Sequence, residues 1–249
     1  MNFGQSNCLV FEEFTIKSKI LNESIRAGIY KPENYNGQLQ KYRSIFVLDG
    51  DYLSPLAATN VESLSSAGNS TPCIIISILS NNRQRDFTPV SDSTGYQDSK
   101  GSGGADHFLK FLENELIPQV EKKYNLSENR IILGHSLGGL LAYYSFLYNE
   151  RLFPTIISID GSLWWDHGTI GKKFIEKMTR MPNYHGEIFE CRKDINQPVQ
   201  FKPNLELLKY LAFQRPPGLN YHYLEIKNAN HATIIYPGIY YSLKAILSH

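Results

Sequence analysis

The sequence predicts an α/β fold in which about eight strands form a mostly parallel sheet with helices on both faces. Short apolar strand patterns alternate with helix-period segments from residue 43 onward, which favours parallel strands joined by right-handed crossovers. Before residue 43, the segments 14–20 and 24–30 alternate apolar and polar residues around Leu-Asn-Glu. This alternation predicts an antiparallel hairpin at one edge of the sheet.

The later elements follow from residue periodicity. Continuous apolar runs such as CIIISIL indicate strands that are buried on both faces. Pro118 should kink the amphipathic helix in which it lies. The predicted strands are 44–48, 73–79, 131–133, 155–159, 187–191 and 221–226, and the predicted helices are 55–67, 105–124, 137–147, 169–181, 204–213 and 239–247.

Length and composition favour a single domain over residues 1–249, with two domains as the weaker alternative. The chain is 42% hydrophobic, which is ample for a large core, and its formal net charge is +1. Such a balance points to no nucleic-acid partner and to no polybasic membrane anchor. The oligomeric state is left open.

Cysteine usage and the first residues bear on compartment and cofactors. Cys8, Cys73 and Cys191 have no C-x-x-C spacing, which argues against a disulfide framework or a structural zinc, and the last two lie in apolar runs typical of buried thiols. We expect no metal and no cofactor. The N-terminal segment lacks the pattern of a signal peptide and no apolar stretch approaches ~18 residues, so the prediction is a soluble, cytoplasmic protein without membrane insertion.

The pentapeptide Gly134-His135-Ser136-Leu137-Gly138 is a G-x-S-x-G motif between an apolar strand and a helix-period run. In that context the serine sits on a tight strand-to-helix turn, and the flanking glycines avoid clashes with the bent backbone. Ser136 is therefore the predicted nucleophile. The alternative is a serine that merely caps the following helix.

A serine hydroxyl needs a base, and active groups of such sheets gather at the carboxyl ends of the strands. His231 follows the last strand and is the predicted base. Asp194 follows the seventh strand and is the predicted acid, with Glu190 as its rival and a dyad without an acid also open. The chain order serine, acid, histidine is that of an α/β-hydrolase.

The oxyanion of the reaction needs two N–H donors. We expect one from Leu137, directly after the nucleophile, and one from Asp51 or else Gly50, after the third strand. Residues 81–104 have no periodicity and are predicted to form a lid or a substrate loop, and residues 160–168 form a second loop that carries Trp164 and Trp165.

Several motifs together resemble the putative-esterase family of α/β-hydrolases. This family includes siderophore esterases of the ferric-enterobactin type and is related to esterase D and the antigen 85 acyltransferases. The motifs that carry the resemblance are Leu48-Asp49-Gly50-Asp51, Arg85-Asp86-Phe87-Thr88-Pro89, Gly103-Gly104-Ala105-Asp106, the segment from Gly134 to Gly139 and Ser162-Leu163-Trp164-Trp165.

The resemblance supports Ser136 as nucleophile and His231 as base. It also implies that Arg85 and Trp164 or Trp165 face the substrate, with a structural ion pair and a packed lid as the alternatives. The strand-to-helix turn at residues 134–138 is called the elbow below. His135, inside the elbow, is a further candidate for substrate binding.

The sequence departs from the family at two places. Asp160-Gly161 stands where the siderophore-type members usually have Ser-Pro, and no Gly-x-x-Glu signature follows the seventh strand.

The leading hypothesis is a serine hydrolase that cleaves a small-molecule carboxylic ester, siderophore-like or from another secondary metabolite, through an acyl-enzyme. One alternative is an acyltransferase or peptide cyclase that uses the same acyl-serine. The other is a non-catalytic binding protein on the same fold.

Overall fold

A computed structural model describes residues 9–89, 101–193 and 204–248. Its strands are β1 (Leu9–Ser18), β2 (Glu23–Pro32), β3 (Tyr42–Val47), β4 (Cys73–Leu79), β5 (Leu126–His135), β6 (Thr155–Ile159), β7 (Gly186–Lys193) and β8 (Leu219–Ile226). Its α-helices are α1 (Gly50–Ser66), α2 (Arg83–Asp86), α3 (Ala105–Phe111), α4 (Ile117–Lys123), α5 (Leu137–Tyr148), α6 (Trp165–Thr179), α7 (Leu205–Phe213) and α8 (Ile235–Leu247).

The eight strands form one sheet in the order β1-β2-β4-β3-β5-β6-β7-β8. The pairs β1–β2 and β2–β4 are antiparallel, and the other five pairs are parallel. The predicted α/β architecture with an antiparallel N-terminal edge is therefore confirmed. Because β3 and β5 to β8 run in the same direction, the loops that follow them meet at one edge of the sheet.

Strand β5 shows how the sheet divides two cores. Successive side chains of a strand point to opposite faces, so Ile132 packs among the residues of α3 to α7, whereas Ile131 and Leu133 pack among those of α1 and α8. All three side chains are completely buried. This central strand is held on both faces and carries the elbow at its carboxyl end.

Helix α1 begins at Gly50, five residues before the predicted start. The prediction used Pro55 as the first residue because proline is favoured at a helix start. In the structure Pro55 lies inside the helix. Because proline has no backbone N–H, one hydrogen bond of the helix is not formed there. The early start matters for the site because it brings the helix N-terminus to the end of β3.

The helix predicted over 105–124 is divided by a π-helical turn. Helix α3 passes into that turn at Leu112–Leu116 and then into α4, in which Pro118 occupies one of the first two positions. Proline donates no backbone hydrogen bond, and the wider turn directly before it changes the bonding register there. The helix is thus interrupted before Pro118, and the predicted kink at that residue stays a prediction.

Two of the three thiols fall within the described ranges. Cys73 and Cys191 are free and buried, as predicted, and burial raises the pKa of each thiol to about 12. Cys8 lies outside those ranges. No helix in the described parts of the chain is long and apolar enough to cross a membrane, and no group of three or more potential metal ligands occurs there.

Candidate active site

Ser136 occupies the strained turn that the motif predicts. Its backbone has φ 60° and ψ −119°, between the end of β5 and the start of α5. Its N–H donates to the carbonyl of Ile159 at 3.0 Å, which ties the turn to the end of β6. Such a conformation is costly for a residue with a Cβ, and it persists because the surrounding structure holds it.

The absence of a side chain at Gly134 is what allows this turn. A Cβ added there would lie 2.3 Å from the carbonyl carbon of Gly138. We expect Gly134→Ala to lower the free energy of unfolding in urea by roughly 3 kcal/mol or more, because backbone cannot move aside as a flexible side chain can.

Gly68→Ala is the matched control for that change. Gly68 has φ +71° and no atom within 4 Å of an added Cβ, so its substitution should cost only about 1 kcal/mol of backbone strain. Equal losses in the two variants would show that the contact with Gly138 is not what requires glycine in the elbow.

A histidine and a carboxylate meet beside this turn. His231, in the loop after β8, places Nδ1 2.6 Å from Oδ2 of Asp160, which directly follows β6. The carboxylate accepts, so Nδ1 carries the proton and the lone pair of the neutral ring is on Nε2. His231 therefore has the tautomer that a general base requires.

The carboxylate beside His231 is not one of the two predicted acids. Asp194 lies outside the described residues. Glu190 is completely buried, and its Oε1 accepts a hydrogen bond from Arg192 Nη1 at 2.8 Å, so the rival prediction is wrong for this pairing. The signal that could have found Asp160 was the departure from Ser-Pro, since this residue follows a parallel strand at the edge that carries Ser136.

Asp160 is surrounded by positive charge. Burial alone would raise the pKa of its carboxyl, but the hydrogen bond with His231 and the nearby cations hold it below its usual value. Lys193 Nζ lies 3.5 Å from Oδ2 and Arg192 Nη2 lies 3.7 Å from Oδ1. The carboxylate is therefore ionised at neutral pH and available to the imidazole.

Ser162 is a second hydroxyl at the elbow. Its Oγ lies 3.3 Å from Oγ of Ser136, and its N–H donates to the Ser136 carbonyl at 2.9 Å. The side chain is 3% exposed. Sequence reasoning noted this residue only as part of the Ser-Leu-Trp-Trp motif, and the structure places it against the candidate nucleophile.

His135 lies against the histidine loop. Its Nε2 is 2.8 Å from the carbonyl oxygen of His231, which can only accept, so Nε2 carries the proton. The two rings are 4.4 Å apart between centroids. Burial, followed by the neighbouring His231, lowers the pKa of His135 to about 4, so this ring is neutral at physiological pH.

That lowered pKa predicts a loss of stability in mild acid. The unfolded chain binds a proton at His135 near the ordinary pKa of 6.5, whereas the folded protein does so only near 4. The folded protein therefore has its full stability, as far as His135 is concerned, above about pH 6.5, and it loses this stability as the pH falls toward 4. Because the ring is partly exposed, the effect is smaller than the full pKa difference implies, and we expect the free energy of unfolding to fall by on the order of 2 kcal/mol.

Urea unfolding of wild type and His135→Gln across this range measures the effect. The glutamine amide can still donate to the His231 carbonyl but does not titrate. His222→Gln is the control, because His222 contacts Glu187 on the surface away from the elbow. A parallel pH dependence in wild type and His135→Gln would contradict the prediction.

Two helix N-termini converge at the elbow. Leu137 is the first residue of α5, and Gly50 and Asp51 are the first two of α1, so their N–H groups have no acceptor within the helices. A Cβ on Gly138 would lie 3.5 Å from Leu48 Cβ and 3.6 Å from Asp49 Oδ2, which shows how closely the two turns approach. The predicted oxyanion donors thus lie on adjoining turns.

Arg83 holds these two turns together. Its Nε donates to Asp49 Oδ1 at 2.7 Å and its Nη2 donates to the His135 carbonyl at 3.0 Å. Burial raises the pKa of Asp49 in spite of the neighbouring guanidinium. Sequence reasoning missed this role because it singled out Arg85 in the same segment.

Arg85 has partners inside the protein. Its guanidinium pairs with Glu23, and its Nε donates to the buried Asp86 at 2.6 Å. These contacts are those expected if Arg85 forms a structural ion pair. Its contact with substrate stays a prediction.

The adjacent tryptophans differ in burial. Trp165 is 0% exposed, as expected for the packed-lid alternative, whereas Trp164 is half-buried, and the contact of one of them with substrate stays a prediction. Asp166, His167 and Gly168 adopt left-handed conformations directly after them, which starts α6 irregularly. Of the predicted lid, residues 90–100 lie outside the described ranges.

Comparison with known proteins connects this arrangement to esterases. The family described as Putative esterase matches residues 18–186. The uncharacterized protein YbbA of Bacillus subtilis is 29% identical over 148 residues, which cover 57% of this chain and 58% of YbbA. The ferri-bacillibactin esterase BesA of the same organism is 28% identical over 183 residues, which cover 66% of this chain and 63% of BesA.

Among solved structures, an IroE-like serine hydrolase from Shewanella oneidensis is similar to this chain with a TM-score of 0.85 and 25% identity. The match covers 96% of this chain and 80% of that one. The fold is thus of the α/β-hydrolase type. Toward the two curated relatives the chain spans less than two thirds of their length.

Proposed function

Because the chain belongs to the putative-esterase family, we propose that it is a serine hydrolase that cleaves a carboxylic ester through an acyl-enzyme. The observation that carries the proposal is the strained elbow at Ser136 beside a histidine whose Nδ1 is bonded to a buried carboxylate. The base is His231 and its acid partner is Asp160.

In the first step, His231 Nε2 takes the proton of the Ser136 hydroxyl while Oγ attacks the ester carbonyl carbon. The electrons of the carbonyl move to oxygen. This oxyanion accepts hydrogen bonds from the N–H of Leu137 and from an N–H of the first turn of α1, at Asp51 or Gly50. The positive ends of two helix dipoles add to its stabilisation.

Collapse of the tetrahedral intermediate breaks the ester bond, and the leaving alcohol takes the proton from His231. Water then enters and attacks the acyl carbonyl carbon while Nε2 takes one of its protons. Collapse of this second tetrahedral intermediate breaks the bond to Oγ, which takes the proton back from His231, so the carboxylic acid is released and Ser136 is restored. Throughout, Asp160 holds the ring in the productive tautomer and stabilises the imidazolium that forms in each step.

The proposed substrate is a small-molecule ester, siderophore-like in class. This choice is supported by the relatives, because the ferri-bacillibactin esterase matches through 66% of this chain. Trp164, half-buried beside the site, is the proposed aromatic contact for the acyl or alcohol part of such an ester.

Intact mass after exposure to a fluorophosphonate tests the activated serine. A single adduct that is lost in Ser136→Ala is the expected result. Ester cleavage is then followed with short aryl esters and with cyclic catecholate or hydroxamate esters, with and without added amine. Free acid as the product supports hydrolysis, whereas amide would indicate the acyl-transfer alternative. A folded wild type that gives neither adduct nor product would reject the proposal.

A further inference from the structure

Two charged side chains of β7 are buried behind the Asp160–His231 pair. Glu190 and Arg192 stand two residues apart, so they leave the same face of the strand. The side chain of Glu190 is 0% exposed and that of Arg192 is 6% exposed, with 2.8 Å between Oε1 and Nη1. Removing two charges from water costs free energy, and well-packed apolar residues in their place would often make a protein equally stable.

The guanidinium of Arg192 reaches the segment that carries the acid. Its Nη1 also donates to the carbonyl of Gly161 at 3.1 Å, and its Nη2 lies 3.7 Å from Asp160 Oδ1. The other oxygen of that carboxylate faces His231. Residue 162, next in the chain, lies against Ser136 through its hydroxyl and its N–H. One side chain thus contacts the segment that orients both the histidine and the nucleophile.

We propose that Arg192 is a positioning residue of this site, which fixes the Asp160 carboxylate toward His231 and moderates its charge there, and that Glu190 is the buried counter-ion that keeps Arg192 in place. The inference rests on the proposed function, in which Asp160 is the acid. Glu190, which resembles a triad acid in the sequence, is separated from the imidazole by two residues, Arg192 and Asp160.

The surroundings of Glu190 fit a structural counter-ion. Burial raises the pKa of this carboxyl, and the charge of Arg192 and their hydrogen bond act against that increase. The hydroxyls of Tyr143 and Ser158 face the same carboxyl and also act to lower its pKa. Without Arg192, Glu190 would be an unpaired buried charge, so the two residues depend on each other.

Other charges near the pair are the same in every test variant. Lys193 Nζ is 3.5 Å from Asp160 Oδ2 and is partly exposed. His135, on β5, contacts His231 and is neutral above about pH 4. Arg83, on α2, is paired with Asp49. A change caused by Arg192 alone is therefore measurable against a constant background.

The test is the second-order rate of labelling by a small fluorophosphonate, measured against pH. In Arg192→Met, and in Glu190→Gln/Arg192→Met, we expect labelling at the pH optimum to slow by roughly tenfold or more because Asp160 is no longer held. In Arg192→Met the midpoint of the acidic limb should move to higher pH by roughly half a unit, because the Asp160 charge is no longer opposed, and it should move less in the double variant, which also loses the negative charge of Glu190. Arg192→Lys keeps the charge and should keep the midpoint while losing rate.

Arg215→Met is the matched control. Within the described parts of the chain, the Arg215 guanidinium donates hydrogen bonds to backbone carbonyls alone, those of Leu211, Ala212 and Leu219, at the edge of the sheet where β8 begins and away from the elbow. It should lose stability in urea without a change in the labelling midpoint. If Arg192→Met does not fold, the test is made with the double variant and with Arg192→Lys. The double variant leaves no unpaired carboxylate at position 190.

Two results would overturn the inference. One is a folded double variant with the wild-type rate and midpoint. The other is equal slowing in Arg215→Met at equal loss of stability, which would make the effect a structural one. Absence of labelling in wild type would instead reject the proposed function itself, so the two failures are distinguishable.

Discussion

Replacing Ser136 with alanine is expected to lower kcat for ester cleavage by roughly 10⁴-fold or more and to leave the fold intact. The hydroxyl is the atom that forms the acyl bond in the proposed mechanism, so no other group can replace it. The turn itself is held by backbone bonds, from Ser136 N–H to the Ile159 carbonyl and from Ser162 N–H to the Ser136 carbonyl, which alanine retains. The urea midpoint should therefore change little.

Ser145→Ala provides the control for hydroxyl removal. Ser145 lies in α5 and is completely buried, and its hydroxyl donates to the carbonyl of Ala142 within its own helix. We expect it to keep full turnover and fluorophosphonate labelling. Retained turnover in Ser136→Ala, measured with enzyme free of wild-type contamination, would exclude Ser136 as the nucleophile.

The sheet and the strained turn at Ser136 could be predicted from sequence because both depend on local sequence patterns. Strand 73–79 matches β4 and strand 155–159 matches β6. A buried parallel strand needs a short apolar run, and the elbow needs glycine at Gly134, where any Cβ meets backbone. Such requirements involve residues close in sequence, so a single chain shows them.

The contacts of Asp160 with His231 and of Arg83 with Asp49 could not be predicted because they join residues that are distant in the sequence. Asp160 meets His231 across 71 positions in the chain, and Arg83 meets Asp49 across 34. Arg83 and Arg85 lie two residues apart in one helical turn, so their side chains point in different directions and only one reaches the elbow. Adjacent Trp164 and Trp165 differ in burial for the same reason.

Position along the chain does not distinguish the candidate acids. The predicted residue, Asp194, follows β7, whereas the structure pairs His231 with a residue that follows β6. Both strands end at the same edge of the sheet and are hydrogen-bonded neighbours, so the order of the strands in the chain does not decide which of them the acid follows. The Asp160 N–H donates to the Cys191 carbonyl at 2.7 Å, which holds the end of β6 against β7.

Asp160→Asn is expected to lower kcat by roughly 10³- to 10⁴-fold while the protein stays folded. The amide keeps the size of the carboxylate but can present an N–H to His231 Nδ1, which favours the tautomer with its proton on Nε2. That ring cannot accept the serine proton. It also loses the negative charge that stabilises the imidazolium, so both steps of the proposed cycle are slowed.

Asp194→Asn and Glu190→Gln separate the three carboxylates. Asp194→Asn should lose less than about tenfold in kcat, because the triad position is filled without it. Glu190→Gln should lose an intermediate amount, since its amide oxygen can still accept from Arg192 while the counter-charge is gone. If Asp194→Asn lowered kcat most and Asp160→Asn hardly changed it, the triad acid would be Asp194. The contact of Asp160 with His231 would then only help to position the ring. The order of the three losses therefore identifies the carboxylate that works through His231.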